Sequence, residues 1–228
     1  MSWLAYDWQP LWLTLRLAAL TTVILLLLGI PLAYRLAFSH SRLKPLWETL
    51  VSMPLVLPPS VLGFYLLLAF SPQHAFGLWL EQWLHLKLVF SFAGLVLGSV
   101  IFSLPFMVHP VQSGLQNLPF ALVEASRSLG KSDFFTLFHI LLPNIKSALL
   151  TGAVLSFAHT IGEFGVVLMI GGNIPGLTRV ASIAIYDEVE SLNYAAAHFY
   201  AAVLFILSFA ILLTVYLGKR KALNSVLS

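Results

Sequence analysis

Apolar residues in this chain gather into five long runs nearly free of charge: Leu17 to Tyr34, Thr49 to Ser71, Leu88 to Val108, Ser147 to Ile170 and Tyr194 to Gly218. A helix needs about 20 apolar residues to cross a hydrocarbon core of roughly 30 Å, so each run predicts a membrane-spanning helix. The first run extends back to Leu11 if Arg16 is paired or snorkels to the interface. Two connections carry structure of their own. Between Asn117 and Pro143, polar and apolar residues alternate at helical spacing, and Gly130 divides the stretch into two short amphipathic helices. Between Gly171 and Asn193, the turn-rich Gly-Gly-Asn-Ile-Pro-Gly is followed by a short helix over Val180 to Val189. No solenoid-type repeat or low-complexity segment interrupts the pattern. The expected fold is all-α: a polytopic bundle of five transmembrane helices forming a single domain over residues 1–228, with the structured loop 117–143 inside it.

Composition sharpens this picture. Hydrophobic residues make up 59% of the chain and charged residues 9%, against roughly 45–50% and about 25% in soluble domains. With mean hydropathy +0.92, too few charges remain to cover a water-facing surface, which excludes a soluble globular protein. The sequence pI of about 9.3 does not point to nucleic acid, because the basic residues form no patch with aromatic partners. The absence of cysteine excludes a disulfide framework and thiolate metal ligands. No Lys or Arg precedes Arg16, so a cleavable signal peptide is not expected and the first run should remain as an anchor.

The charges set an orientation. Nine of the twelve Lys and Arg residues fall in three connections: Arg35, Arg42 and Lys44; Arg127, Lys131 and Lys146; Lys219, Arg220 and Lys221. The loop after the second run holds only Lys87, and the loop after the fourth sets Arg179 against Asp187, Glu188 and Glu190. By the positive-inside rule the N-terminus lies outside and the C-terminus in the cytoplasm. Trp3, Trp8, Trp12, Trp79 and Trp83 then share the outer side, as an interfacial belt does.

The sharpest motif lies in the basic connection after the third run. Glu124-Ala125-Ser126 is followed after three residues by Gly130, and after nine more by Ile140-Leu141-Leu142-Pro143. This resembles the EAA loop of bacterial ABC importer permeases, whose pattern is Glu-Ala-Ala, three residues, Gly, nine residues, Ile, one residue, Leu-Pro. Only the second alanine differs, as Ser126. The resemblance implies a coupling helix seated in a groove of an ATPase subunit, with Glu124, Ala125, Ser126, Arg127, Gly130, Lys131 and Asp133 at the contact. The physical logic agrees, since small residues permit close approach and Gly130 permits a sharp reversal. The plainer alternative is an amphipathic helix lying on the membrane.

Met53-Pro54-Leu55-Val56-Leu57-Pro58-Pro59, Gly162-Glu163-Phe164-Gly165, Gly172-Asn173-Ile174-Pro175-Gly176 and Thr178-Arg179 resemble the molybdate branch of these permeases, with the sulfate and tungstate permeases as near relatives. The resemblance implies the non-enzymatic membrane subunit of an importer in the bacterial inner membrane. It implies a homodimer bound to two ATP-binding subunits on the cytoplasmic side and to a periplasmic oxyanion-binding protein. ATP and Mg would belong to those ATPases, and this chain has no Gly-x-x-x-x-Gly-Lys-Ser/Thr motif and no cofactor of its own. The rivals are a sulfate- or tungstate-type permease and an ion-coupled secondary transporter, against which the scarcity of intramembrane acids argues.

The residues also speak for themselves. Pro54, Pro58 and Pro59 remove three amide donors from the second run and predict a bent helix that lines a pathway as hinge or gate, the alternative being a kink for packing alone. Glu163, with His159 one turn earlier and Gly165 beside it, marks a second pathway candidate. A carboxylate would repel an oxyanion, so direct ligation of cargo is not expected. Depths counted along continuous helices place Arg16 within about 6 Å of the level of Glu163 and predict a structural ion pair. The alternative is Glu163 protonated or bonded to Thr160 or Ser156. His159-Thr160-Ile161-Gly162-Glu163 lacks the second histidine of a zinc-binding His-Glu-x-x-His helix, so neither a metal site nor a catalytic site is expected. Gly94 and Gly98, and the alanines at 195–197, 201 and 202, predict close helix contacts without saying between which helices. The charge distribution yields a direct test of orientation: cysteines placed at Gln73 and Asn193 should react with an impermeant thiol reagent from outside and one at Ser225 should not, and external labelling at Ser225 would reverse the orientation.

Overall fold

The computed structural model describes residues 6–227, with side chains for residues 6–214. Trp3 of the expected belt, the side chains of Lys219, Arg220 and Lys221, and the side chain of Ser225 lie outside the described residues. Helices account for all regular structure among them: α1 (Gln9–Phe38), α2 (Lys44–Val56), α3 (Pro59–Phe70), α4 (Ala75–Leu84), α5 (Phe92–Gln116), α6 (Ala121–Ser128), α7 (Asp133–Thr136), a π-helical turn over Leu137–Leu141, α8 (Leu142–Asn144), α9 (Lys146–Ile161), α10 (Gly165–Gly171), α11 (Ala181–Glu190) and α12 (Tyr194–Leu227). Among these, α1, α5 and the described part of α12 are each long and apolar enough to cross a membrane, and the number is up to five if the bent pairs Lys44–Val56 with Pro59–Phe70 and Asp133–Asn144 with Lys146–Ile161 each count as one span.

Two of the expected spans are broken rather than continuous. The second run divides into α2 and α3, whose axes differ by 113°. A proline disfavours the helical conformation in the residue before it. Leu57, preceding Pro58, is extended (φ −70°, ψ 135°), and so is Pro58, preceding Pro59 (φ −55°, ψ 135°). Pro54, by contrast, is absorbed inside α2 and buried. The fourth run stops at Ile161 and resumes at Gly165 as α10. The chain also turns by 86° between the segment Asp133–Asn144 and α9, so no single helix joins Pro143 to Glu163. The connection after α3, expected as a plain loop, contains α4 with Trp79 and Trp83 exposed on it.

The centre of the bundle is the mutual packing of α1, α5 and α9, where Leu25, Ala33, Met107, Val108 and Val111 are fully buried. A second cluster, with Leu17, Leu95, Val166, Ile170 and Ile183, brings α10 and α11 onto the same two long helices. Helix α3 lies on α10, α2 on α5, and α12 on α11 and α9. The Gly94 and Gly98 pair is used inside the chain. A Cβ at Gly94 would fall 2.0 Å from the Leu88 carbonyl oxygen, and one at Gly98 would fall 3.0 Å from Val166.

The α3–α10 contact is closer still, since a Cβ on Gly63 would lie 2.7 Å from the Cβ of Met169 and 3.0 Å from the Cα of Val166. Neither is the free end of a flexible side chain. Gly63→Val should therefore destabilise the protein by about 1–3 kcal/mol, read as a lower unfolding temperature in detergent. An unchanged temperature would mean that α3 does not hold this close packing.

Candidate functional site

The loop 117–143 folds into a helical hairpin. Helix α6 ends with Leu129 N–H donating to Ala125 O, Gly130 N–H to Arg127 O and Lys131 N–H to Ser126 O. The reversal requires Gly130, whose φ of +71° lies where an L side chain costs about 1–2 kcal/mol. No atom lies within 4 Å of a Cβ built there, so the requirement comes from the backbone and not from crowding within the chain. Ser132 starts α7 by accepting from Phe135 N–H at 3.2 Å. The two arms are tied at Ser126, the position where the motif's alanine is replaced. Thr136 Oγ1 donates its proton to Ser132 O at 2.9 Å, so the 2.7 Å contact between Ser126 and Thr136 has Ser126 Oγ as donor. Both residues are buried. Sequence reading took Ser126 as merely small and missed Thr136. The only signal was a second hydroxyl ten residues on.

Around this tie the loop is open. Glu124, Ala125, Arg127, Gly130, Lys131 and Asp133 are exposed. Arg127 binds Asp133 Oδ1 through Nε (3.1 Å) and Nη2 (3.0 Å). These hydrogen bonds hold the guanidinium above its ordinary pKa, and Tyr34 of α1 lies against the same group. Lys131 sits over the Phe135 ring at 5.0 Å. Phe120, Leu129, Phe134 and Phe138 are also exposed, so the hairpin presents apolar side chains beside its charges.

The second site is where the two broken runs meet. Pro59, Ser60, Phe102, Ala158, His159 and Gly162 to Gly165 line an open cleft of about 660 Å³. A Cβ on Gly165 would lie 2.8 Å from the Cβ of Pro59 and 3.2 Å from the Ser60 nitrogen, so glycine is what allows the two breaks to touch. The pathway candidates Pro59, His159, Glu163 and Gly165 are thus brought together. Pro58 stands at the entry to α3, and Pro54 lies apart inside α2. The break satisfies its own backbone: Glu163 N–H donates to Thr160 O at 3.3 Å, and Ser182 Oγ donates to Glu163 O at 2.6 Å. His159 Nδ1 is 3.0 Å from Ser103 Oγ, its ring stacks on Phe106 at 4.1 Å, and Ser103 continues to Thr160 at 3.1 Å.

The Arg16–Glu163 ion pair is not formed. Arg16 is exposed on α1 with its guanidinium 4.9 Å from the Phe92 ring centroid. Glu163 is 3% exposed, and neither carboxyl oxygen has a hydrogen-bond partner; Ser99 faces the carboxyl without closing a bond of standard geometry. Neither alternative partner binds it, since Thr160 donates to Ser156 O at 2.9 Å and Ser156 Oγ is itself unpaired. The depth argument assumed a continuous helix, and the break at Gly162 turns Glu163 inward toward α5.

With this geometry established, comparison with known proteins defines the class. Residues 13–222 match the family described as binding-protein-dependent transport system inner membrane components, and the chain belongs to that family. Within it, the chain is 46% identical over 216 residues to the molybdenum transport system permease protein ModB of Azotobacter vinelandii, covering 94% of this chain and 95% of that one. It is 33% identical to ModB of Escherichia coli strain K12, covering 81% of each. It is also 35% identical to the probable sulfate transport system permease protein cysT of Marchantia polymorpha, covering 87% of this chain and 69% of that one. A chain of the MetNI methionine ABC transporter, solved in inward-facing conformations, shares the fold with a TM-score of 0.74 at 17% identity, covering 97% of this chain and 99% of that one.

The hairpin geometry makes Gly130 separable from its neighbours. Gly130→Val should speed hydrogen exchange across residues 126–136, by an amount equivalent to about 1–2 kcal/mol, whereas Gly130→Asn should stay close to the parent because asparagine tolerates the left-handed region. Equal exchange in both variants would show that the turn does not depend on backbone conformation.

Proposed function

We propose that this chain is the membrane-spanning subunit of an ATP-driven importer of molybdate. The observation that carries this reading is 46% identity to a molybdenum permease along almost the whole of both chains. In this reading two copies form the pathway, two ATP-binding subunits sit on the cytoplasmic face, and a periplasmic binding protein delivers the oxyanion. The N-terminus faces outward and the C-terminus inward, as the distribution of basic residues suggests. The chain itself hydrolyses nothing.

The hairpin at 121–136 and the turn that follows it are the contact with the ATPase. Their exposed Leu129, Phe134 and Phe138 offer apolar area to a groove, and the exposed charges around these offer register. Movement of the ATPases reaches the bundle at the 86° turn before α9. Helix α9 then carries it to the cleft where α3 and α10 meet, the candidate gate. His159 and Glu163 act there as gating or structural groups, since a carboxylate cannot attract an oxyanion.

Vesicles containing the complete complex test this. With the binding protein loaded in turn with molybdate, tungstate and sulfate, molybdate uptake should require ATP and survive collapse of the ion gradients. Uptake that follows an ion gradient and ignores ATP would reject the importer reading, and sulfate as the preferred cargo would favour the relation to cysT. Gly130→Trp should leave the permease inserted but reduce copurification of the ATPase or uncouple hydrolysis from uptake. Arg127→Ala and Asp133→Ala should have milder effects, as exposed ion pairs contribute about 0–1 kcal/mol.

A further inference from the structure

At the end of the bundle that carries the hairpin, α1 and α2 enclose a cavity of about 280 Å³ lined by Leu32, Arg35, Leu36, Ser39, Ser41, Lys44 and Trp47. Its shared end is fixed by contact: Phe38, at the end of α1, meets Phe120 at 6.5 Å. The polar groups facing this cavity are all able to donate. Arg35 has no hydrogen bond or ion pair among the described residues. Ser39 Oγ accepts from Ser41 N–H and Ser41 Oγ accepts from Leu43 N–H, each at 3.2 Å, which leaves both hydroxyl protons unspent. Lys44 has a single, distant counter-ion, Glu48 at 3.9 Å. That carboxylate lies outside the cavity lining and is already held by Gln112 Nε2 at 2.7 Å.

Two cations and two free hydroxyl donors around one small cavity provide the donors and the charge to hold an anion. The remaining wall is apolar, with Leu32 and Leu36 on one side and Trp47 on the other. Leu43, Leu46 and Trp47 are each more than half exposed beside it, as side chains at a membrane surface are. A free inorganic anion has no use for that wall, whereas a phosphodiester with acyl chains uses both halves. Basic pockets between transmembrane helices are where anionic headgroups bind.

We propose that this cavity binds the phosphate of an anionic glycerophospholipid, with Arg35 and Lys44 as its charged ligands, Ser39 and Ser41 as donors, and Trp47 against the glycerol and acyl region. Bound there, the lipid bridges the α1–α2 corner next to the hairpin. The site requires no assumption about the transported cargo.

Native mass spectrometry of the full-length permease released from phosphatidylcholine nanodiscs containing phosphatidylglycerol tests the proposal. The parent should retain one phosphatidylglycerol per chain in preference to phosphatidylcholine. Arg35→Ala with Lys44→Ala should weaken that retention about tenfold or more. Arg35→Lys should keep most of it, and Arg42→Ala, an exposed cation outside the lining, should leave it unchanged. If the double alanine variant fails to insert, Arg35→Gln and Lys44→Gln singly provide the same reading with smaller losses. Undiminished retention in the cavity variants would overturn the proposal, and so would an equal loss in Arg42→Ala, which would indicate diffuse surface attraction. Displacement of the lipid by millimolar inorganic phosphate or molybdate would make this a free-anion site and reject the lipid assignment.

Discussion

Backbone polar groups in hydrocarbon have no water to bind, so a membrane chain that interrupts its helices must set each interruption against protein or around a water-accessible cavity. This chain interrupts two of its five apolar runs and brings the breaks into contact around one open cleft, where Pro58, Pro59, Ser60 and Gly162 stay exposed. Gly165 meets Pro59 at van der Waals limits, Gly63 admits Met169 and Val166, and Ser182 takes up the Glu163 carbonyl. The central packing of α1, α5 and α9 can be uninterrupted because the irregular backbone is collected on one side of it. A cleft results where two separate sequence features, Pro59 and the segment with His159, Glu163 and Gly165, share one wall.

The hairpin obeys a different constraint. The hairpin at 121–136 is short and built from local hydrogen bonds, with one buried hydroxyl pair and with Val123 seated in the main core cluster. Its reversal depends on a left-handed glycine and a serine cap, while Val123 and Leu137 anchor it to the core. That construction leaves Leu129 and Phe134 exposed, as is Phe138 in the turn that follows, in a loop that turns directly into α9. It is this apolar-tipped hairpin, anchored to the core through Val123, that is proposed above as the contact with the ATPase.

Local chemistry in the sequence determined much of this protein. The apolar runs required membrane-spanning helices, the spacing from Glu124 to Pro143 located the hairpin, Gly130 marked its reversal, and Pro58 with Pro59 marked a break. Each of these signals acts within a few residues, through φ restriction, a missing amide or hydrophobic periodicity. The extent of the break was decided elsewhere, because a proline pair excludes a straight helix but only the packing of α3 on α10 sets 113°. Only the tertiary structure separated Arg16 from Glu163, joined Ser126 to Thr136, and placed Arg35 and Lys44 around one cavity. Those relations depend on helix rotation and on side-chain reach across elements, and residue spacing along one chain does not encode either.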